Sequence, residues 1–165
     1  MNNFINKNVN TYLKYYLKKF DFDSNDFINV EEITLSSFNM SGKFISNSLE
    51  DLKNFKNLKS LHISNYILNR ENIQIIKNLE KLENYIFQKC DIKDRLEISG
   101  ESIRIINCKK IDNLQLSDFK IIEFEGADLT DIEVKCDVLK LRNCVNLEKS
   151  KIEYNTVKYL EMDVE

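Results

Sequence analysis

At 165 residues, with 42% hydrophobic and 31% charged side chains, the chain has the length and balance of one globular domain, able to bury a core without disulfide or metal staples. Its 24 basic and 27 acidic residues leave a net charge of −3, so no basic excess points to nucleic acid or to a membrane surface. Pro is absent and Gly occurs 3 times, which removes glycine-rich phosphate cradles; the abundance of Asn, Ile and Lys reads as A/T-rich coding rather than as function.

Met1 to Phe20 mixes Asn and Lys with aromatics and holds no apolar core of signal-peptide length. No apolar run approaches membrane-spanning length, so a cytoplasmic location is expected. Within this stretch Tyr12, Leu13, Tyr16, Leu17 and Phe20 recur at helical spacing. A helix over Val9 to Phe20 is therefore expected to cap the N-terminal end of the domain.

From residue 33 onward the chain repeats itself. Ile33-Thr34-Leu35 leads to Phe38 and Met40, Leu61-His62-Ile63 to Tyr66 and Leu68, and Tyr85-Ile86-Phe87 to Cys90 and Ile92. The clearest copies are Ile103-Arg104-Ile105-Ile106-Asn107-Cys108 and Leu139-Lys140-Leu141-Arg142-Asn143-Cys144, with Ile122-Glu123-Phe124 as a degenerate copy between them. Leu160-Glu161-Met162 starts a final copy. These anchors predict parallel strands beginning near residues 32, 60, 84, 102, 121, 138 and 159. The two long early intervals leave room for helices: Leu49, Leu52 and Phe55 share one face, and Ile75, Ile76 and Leu79 share another. In the later, shorter coils the return path is a second alternating run. Leu96-Glu97-Ile98, Leu114-Gln115-Leu116, Ile132-Glu133-Val134 and Ile152-Glu153-Tyr154 each suit a half-buried strand.

Residues 58 to 68, through Leu58, Leu61, Ile63, Tyr66 and Leu68, resemble the core of a leucine-rich repeat, L-x-x-L-x-L-x-x-N/C-x-L. The resemblance extends over roughly residues 30 to 162. Cys90, Cys108 and Cys144 match its N/C position, whereas Phe38, Tyr66 and Ala127 depart from it. It implies an α/β repeat solenoid with a leucine-rich-repeat-like parallel β-sheet, in an irregular, short-coil form. The expected organisation is a single solenoid domain over 1–165: an N-terminal helical cap over 1–29, strand-helix coils over 30–94, and short β coils with strands on both walls over 95–165.

Catalytic candidates are few. The Cys90, Cys108 and Cys144 row is expected to face inward as reduced thiols, because the same position also takes Phe38, Tyr66 and Ala127, which are poor or impossible metal ligands; Cys136 lies outside it. No C-x-x-C pair, nucleophile elbow, phosphate loop or zinc helix is present. His62, the sole histidine, is expected outward between Thr34 and Ile86, neither of which could orient it as a base. No catalytic residue, metal or cofactor is therefore assigned.

Two outward surfaces remain. The second wall carries Glu97, Gln115, Glu133 and Glu153, a solvated face or an acidic one for a basic partner. The primary wall carries Thr34, His62, Ile86, Arg104, Glu123, Lys140 and Glu161 in its central row, the last four alternating in sign. Ile106, Ile121, Val138 and Tyr159 are expected to flank that row. Apolar groups crossed by charges suggest an interaction site, for which Ile86, Arg104, Ile106, Ile121, Lys140, Arg142 and Tyr159 are the binding candidates. The expected function is a cytosolic protein–protein interaction module, an inhibitor or immunity-type binder being its specific form. Its partner would be another protein, not nucleic acid or membrane, with the oligomeric state open. The alternatives are an enzyme with an unrecognised carboxylate site and a structural subunit of a larger assembly.

Overall fold

The computed structural model describes residue 9 and residues 24–38, 42, 44, 46–108, 110–111 and 114–159. The chain winds as a parallel β-solenoid. Its elements are helix α1 (Ser24–Ile28), strand β1 (Glu32–Ser36), a 3₁₀ helix (Glu50–Asn54), β2 (Ser60–Ser64), β3 (Ile67–Leu68), helix α2 (Arg70–Lys77), β4 (Asn84–Gln88), β5 (Asp91–Ile92), β6 (Glu97–Ile98), β7 (Ser102–Ile106), β8 (Lys110–Ile111), β9 (Gln115–Glu125), β10 (Glu133–Arg142), a second 3₁₀ turn (Leu147–Lys149) and β11 (Lys151–Tyr159). The main sheet runs β1-β2-β4-β7-β9-β10-β11, with β6 also paired to β9, and a narrow second sheet runs β3-β5-β8. Every paired strand is parallel to its neighbour.

Stacking turns the repeated triplets into columns. Ile33, Leu61, Tyr85, Ile103, Ile122 and Leu139 lie in register, as do Leu35, Ile63, Phe87, Ile105, Phe124 and Leu141. All twelve are buried, each contributing about 1.5–3 kcal/mol relative to exposure. After β2, β4, β7, β9 and β10 the chain turns through a left-handed residue, at Asn65, Lys89, Asn107, Gly126 and Asn143, with φ between 51° and 61°. Their amides continue the ladder: Lys89 N–H donates to Ile106 O, Asn107 N–H to Glu125 O and Gly126 N–H to Arg142 O. With glycine scarce, asparagine takes this position because its short polar side chain tolerates it best after glycine.

Several sequence expectations need correction. Leu49, Leu52, Phe55 and Leu58 are all buried but recur every third residue, and that period belongs to the 3₁₀ helix found over Glu50–Asn54 rather than to an α-helix. Expected strands at 115 and 121 are one continuous β9, and those at 133 and 138 one β10, because the chain rounds the corner between walls without leaving the sheet. At that corner Val134 pairs with Leu116 but Cys136 with Phe119, so Ser117 and Asp118 oppose one residue and Asp118 takes φ 59°.

The last coil has a different register from that expected. Leu139 pairs with Val157 and Leu141 with Tyr159, not with Leu160 and Met162. Val134 likewise pairs with Ile152, so Glu133 faces Lys151 rather than Glu153. Lys151-Ile152-Glu153-Tyr154 keeps the coil length of its predecessors, and Val157-Lys158-Tyr159 takes the place beside Leu139-Lys140-Leu141. Of the expected cap helix, Val9 is helical and buried; Tyr12, Leu13, Tyr16, Leu17, Phe20, and at the other end Leu160, Glu161 and Met162, lie outside the described residues.

Candidate functional site

The primary wall is continuous: its strands are in unbroken register from β1 to β7 and rejoin the same register beyond the corner bulge. Its central outward row reads Thr34, His62, Ile86, Arg104, Glu123, Lys140, Lys158. Arg104 Nη2 donates to Glu123 Oε1 at 3.0 Å, and Lys140 Nζ lies 4.0 Å from Glu123 Oε2. The Glu123 side chain, 12% exposed, is thus clamped between two cations and shielded by them. Such cross-strand pairs contribute about 0.2–1 kcal/mol each while holding long side chains in one conformation. Beyond Lys140 the row continues with Lys158, so the alternation of charge stops at the last described strand.

Of the seven binding candidates, six share this wall. Ile86, Arg104 and Lys140 sit in the central row; Ile121 stands beside Val138 in one flanking row, and Ile106 and Arg142 lie on either side of Glu125 in the other. Ile121 is 36% exposed, and Ile86, Ile106 and Val138 are half-buried. The Nε atoms of Arg104 and Arg142 are buried and have no hydrogen-bond partner among the described residues. Tyr159 is the exception. It shares register with inward Leu141, yet is 67% exposed because β11 forms the sheet's edge among the described strands.

His62 stands outward between Thr34 and Ile86, its Nε2 3.3 Å from Gln88 Oε1. The second wall carries Glu97, Gln115, Glu133 and Lys151 in register, a row that ends on a cation instead of continuing acidic. Arg95 pairs with Gln115 and Glu97, and Lys77 lies 3.6 Å from Glu97, so this face is internally neutralised.

The cysteines are core groups. Cys90 and Cys108 are buried, the Cys90 amide lying 3.4 Å from Cys108 Sγ, and all four thiols are free. The hydrogen bond to Cys108 and burial push the Cys90 thiol well above its ordinary range. Cys144, half-buried, occupies the equivalent position with its Sγ 3.4 Å from Phe124 O. Cys136 stacks between Phe119 and Tyr154 at the corner, and burial pushes its thiol up to about 11. Among the described residues no three His, Cys, Asp or Glu side chains are grouped to hold a metal, and no helix is long and apolar enough to cross a membrane.

One groove escaped the sequence reading. Phe38 and Phe44 pack edge to face, centroids 5.8 Å apart, and with Tyr66, Ile67 and Lys89 line a depression where the left-handed turns emerge. Phe38 was expected in the inward row but is 39% exposed. Comparison of the chain with family models, with curated proteins and with solved structures finds no match in any of the three. The parallel β-solenoid therefore rests on the register alone. It is a repeat-protein fold.

Proposed function

We propose that the chain is a protein-binding module that presents its primary wall to another protein, in the manner of an irregular, short-coil leucine-rich repeat. The observation that carries this reading is the pre-set Arg104–Glu123–Lys140 ladder, bordered by Ile86, Ile106, Ile121 and Val138. A surface whose charged side chains are already ordered loses little conformational freedom on association, and outward apolar groups between them supply desolvation energy. A continuous strand wall suits an inhibitor or immunity-type binder, which must cover a surface rather than enclose a small molecule, and a cytosolic setting suits four free thiols. An enzyme with a carboxylate site is the alternative from another class.

The test uses the purified chain as bait in extract of its host. A stable protein partner is expected, and Arg142→Glu or Ile121→Lys should weaken its binding at least about tenfold with an unchanged circular-dichroism melt, as for loss of an interface anchor. Glu133→Lys, on the second wall, should change it less than about twofold. Binding lost by Glu133→Lys and kept by both primary-wall variants would assign the partner to the other face.

A further inference from the structure

The two outer strands of the described sheet, β1 and β11, differ. At the β1 end the inward side chains Ile33 and Leu35 are already covered, at 0% and 1% exposure. At the β11 end the inward positions are Ile152, Tyr154, Val157 and Tyr159, and none is fully buried; Tyr154 is 47% exposed and Tyr159 67%. Among the described strands, none pairs with the outer edge of β11, which leaves it a row of backbone groups.

The order of side chains along β11 is a palindrome. Asn155 and Thr156 both point outward at the corner, and from there the strand reads symmetrically in both directions. Tyr154 and Val157 are inward, Glu153 and Lys158 outward, Ile152 and Tyr159 inward. A two-fold axis through the corner would set each of these pairs opposite its mate in an antiparallel ladder, where facing residues share one side of the sheet. Apolar would meet apolar, Ile152 with Tyr159 and Tyr154 with Val157, and Glu153 would meet Lys158 twice. Lys158 needs such a counter-ion. It stands in register beside Lys140, and among the described residues it has no ion-pair partner. The charges also fix the register, because a two-residue slip would put Lys151 opposite Lys158 and turn Tyr154 against Asn155.

We infer that β11 is a self-association edge: a second copy of this chain pairs with it antiparallel about a two-fold axis at Asn155–Thr156, and each copy covers the other's apolar end. The interface is isologous and closes at two copies. Head-to-tail stacking is disfavoured because the inward side chains of β1, Ile33 and Leu35, are already covered. The inference is independent of the primary-wall reading, since it uses the end of the stack and needs no foreign partner.

Sedimentation velocity of the full chain, from about 1 to 200 µM, tests it. A reversible monomer–dimer equilibrium is expected. Glu153→Lys alone and Lys158→Glu alone should each weaken self-association at least about tenfold, because each sets like charges opposite one another twice. An equimolar mixture of those two variants should form a heterodimer, since both charge pairs are then opposite in sign, and the double variant should self-associate like the original chain. A monomer throughout the range overturns the inference. So does a dimer indifferent to both single changes, or an open-ended series of larger species.

Discussion

Lys89 holds the left-handed conformation that Asn65, Asn107, Gly126 and Asn143 hold in other coils, and of the five it is the residue least suited to it. Its side chain is exposed, so Lys89→Gly removes steric strain without opening a cavity. That change should raise stability by roughly 0.5–1 kcal/mol in a urea melt, net of the added chain entropy of glycine. Gly126→Ala is the converse: the new Cβ would sit at φ 58° and collide with Asn107 Oδ1, so a loss of about 1–2 kcal/mol or more is expected. If both variants melt as the parent does, the left-handed column is not a structural requirement. The thiols make a second residue-scale case. Cys90 and Cys108 should resist alkylation in the native protein at pH 8 and react once it is denatured; half-buried Cys144 should react first. Rapid native labelling of Cys90 would show that the inward row is misplaced.

Between the 3₁₀ helix, β3 and α2, one buried amide does the joining. Asn72 Oδ1 accepts from Leu49 N–H at 3.1 Å, and its Nδ2 donates to Asn47 O at 2.7 Å and to Ile67 O at 2.8 Å. Its own N–H caps onto Asn69 Oδ1 at 3.0 Å. Asn72→Ala should cost about 2–3 kcal/mol by stranding those groups, and it should speed hydrogen exchange at Leu49 ahead of the β7–β10 amides. None of this was legible in the sequence, where Asn72 is one asparagine among many. What was legible is whatever burial enforces by periodicity. The inward pairs Ile33/Leu35 through Leu139/Leu141 marked six strand positions, and the outward parity of Ile86, Arg104, Ile106, Ile121, Lys140 and Arg142 followed from them. The last coil was misread because Leu160-Glu161-Met162 alternates as well as Val157-Lys158-Tyr159 does, and alternation carries no information about which triplet the neighbouring strand selects. The Asn-Cys pairs were visible as a motif, but as cysteine chemistry; their structural content was the backbone angle of the asparagine before each thiol.

At the scale of the whole molecule, stability should fall in alkali through groups buried in their neutral forms. The Tyr85 hydroxyl shares its one proton between Leu82 O at 3.0 Å and Ser99 O at 3.2 Å, and burial pushes it up to about 12 from 10.0. Cys136 is held at about 11 against an ordinary 9.0. Above those ordinary values the unfolded chain releases protons that the folded chain keeps. The stabilisation is thus complete below pH 9.0 and is lost as pH rises towards 12, by at most about 1.4 kcal/mol per pH unit for each group. Thermal melts should therefore drop steadily above pH 9.0, and Tyr85→Phe should flatten the part of the slope between 10.0 and 12. An unchanged slope in that variant would remove Tyr85 from the account. The corner bulge at Asp118 bears on the molecule in another way. Ile103 to Ile122 spans one residue more than the common coil and Ile122 to Leu139 one fewer, yet both walls keep every side chain on its proper face. The corner works as an expansion joint. A gained or lost codon there is absorbed within one coil instead of rotating everything downstream, which makes Ser117–Asp118 the place where this lineage can change length, or an engineer can graft a loop, without rewriting the rest of the stack.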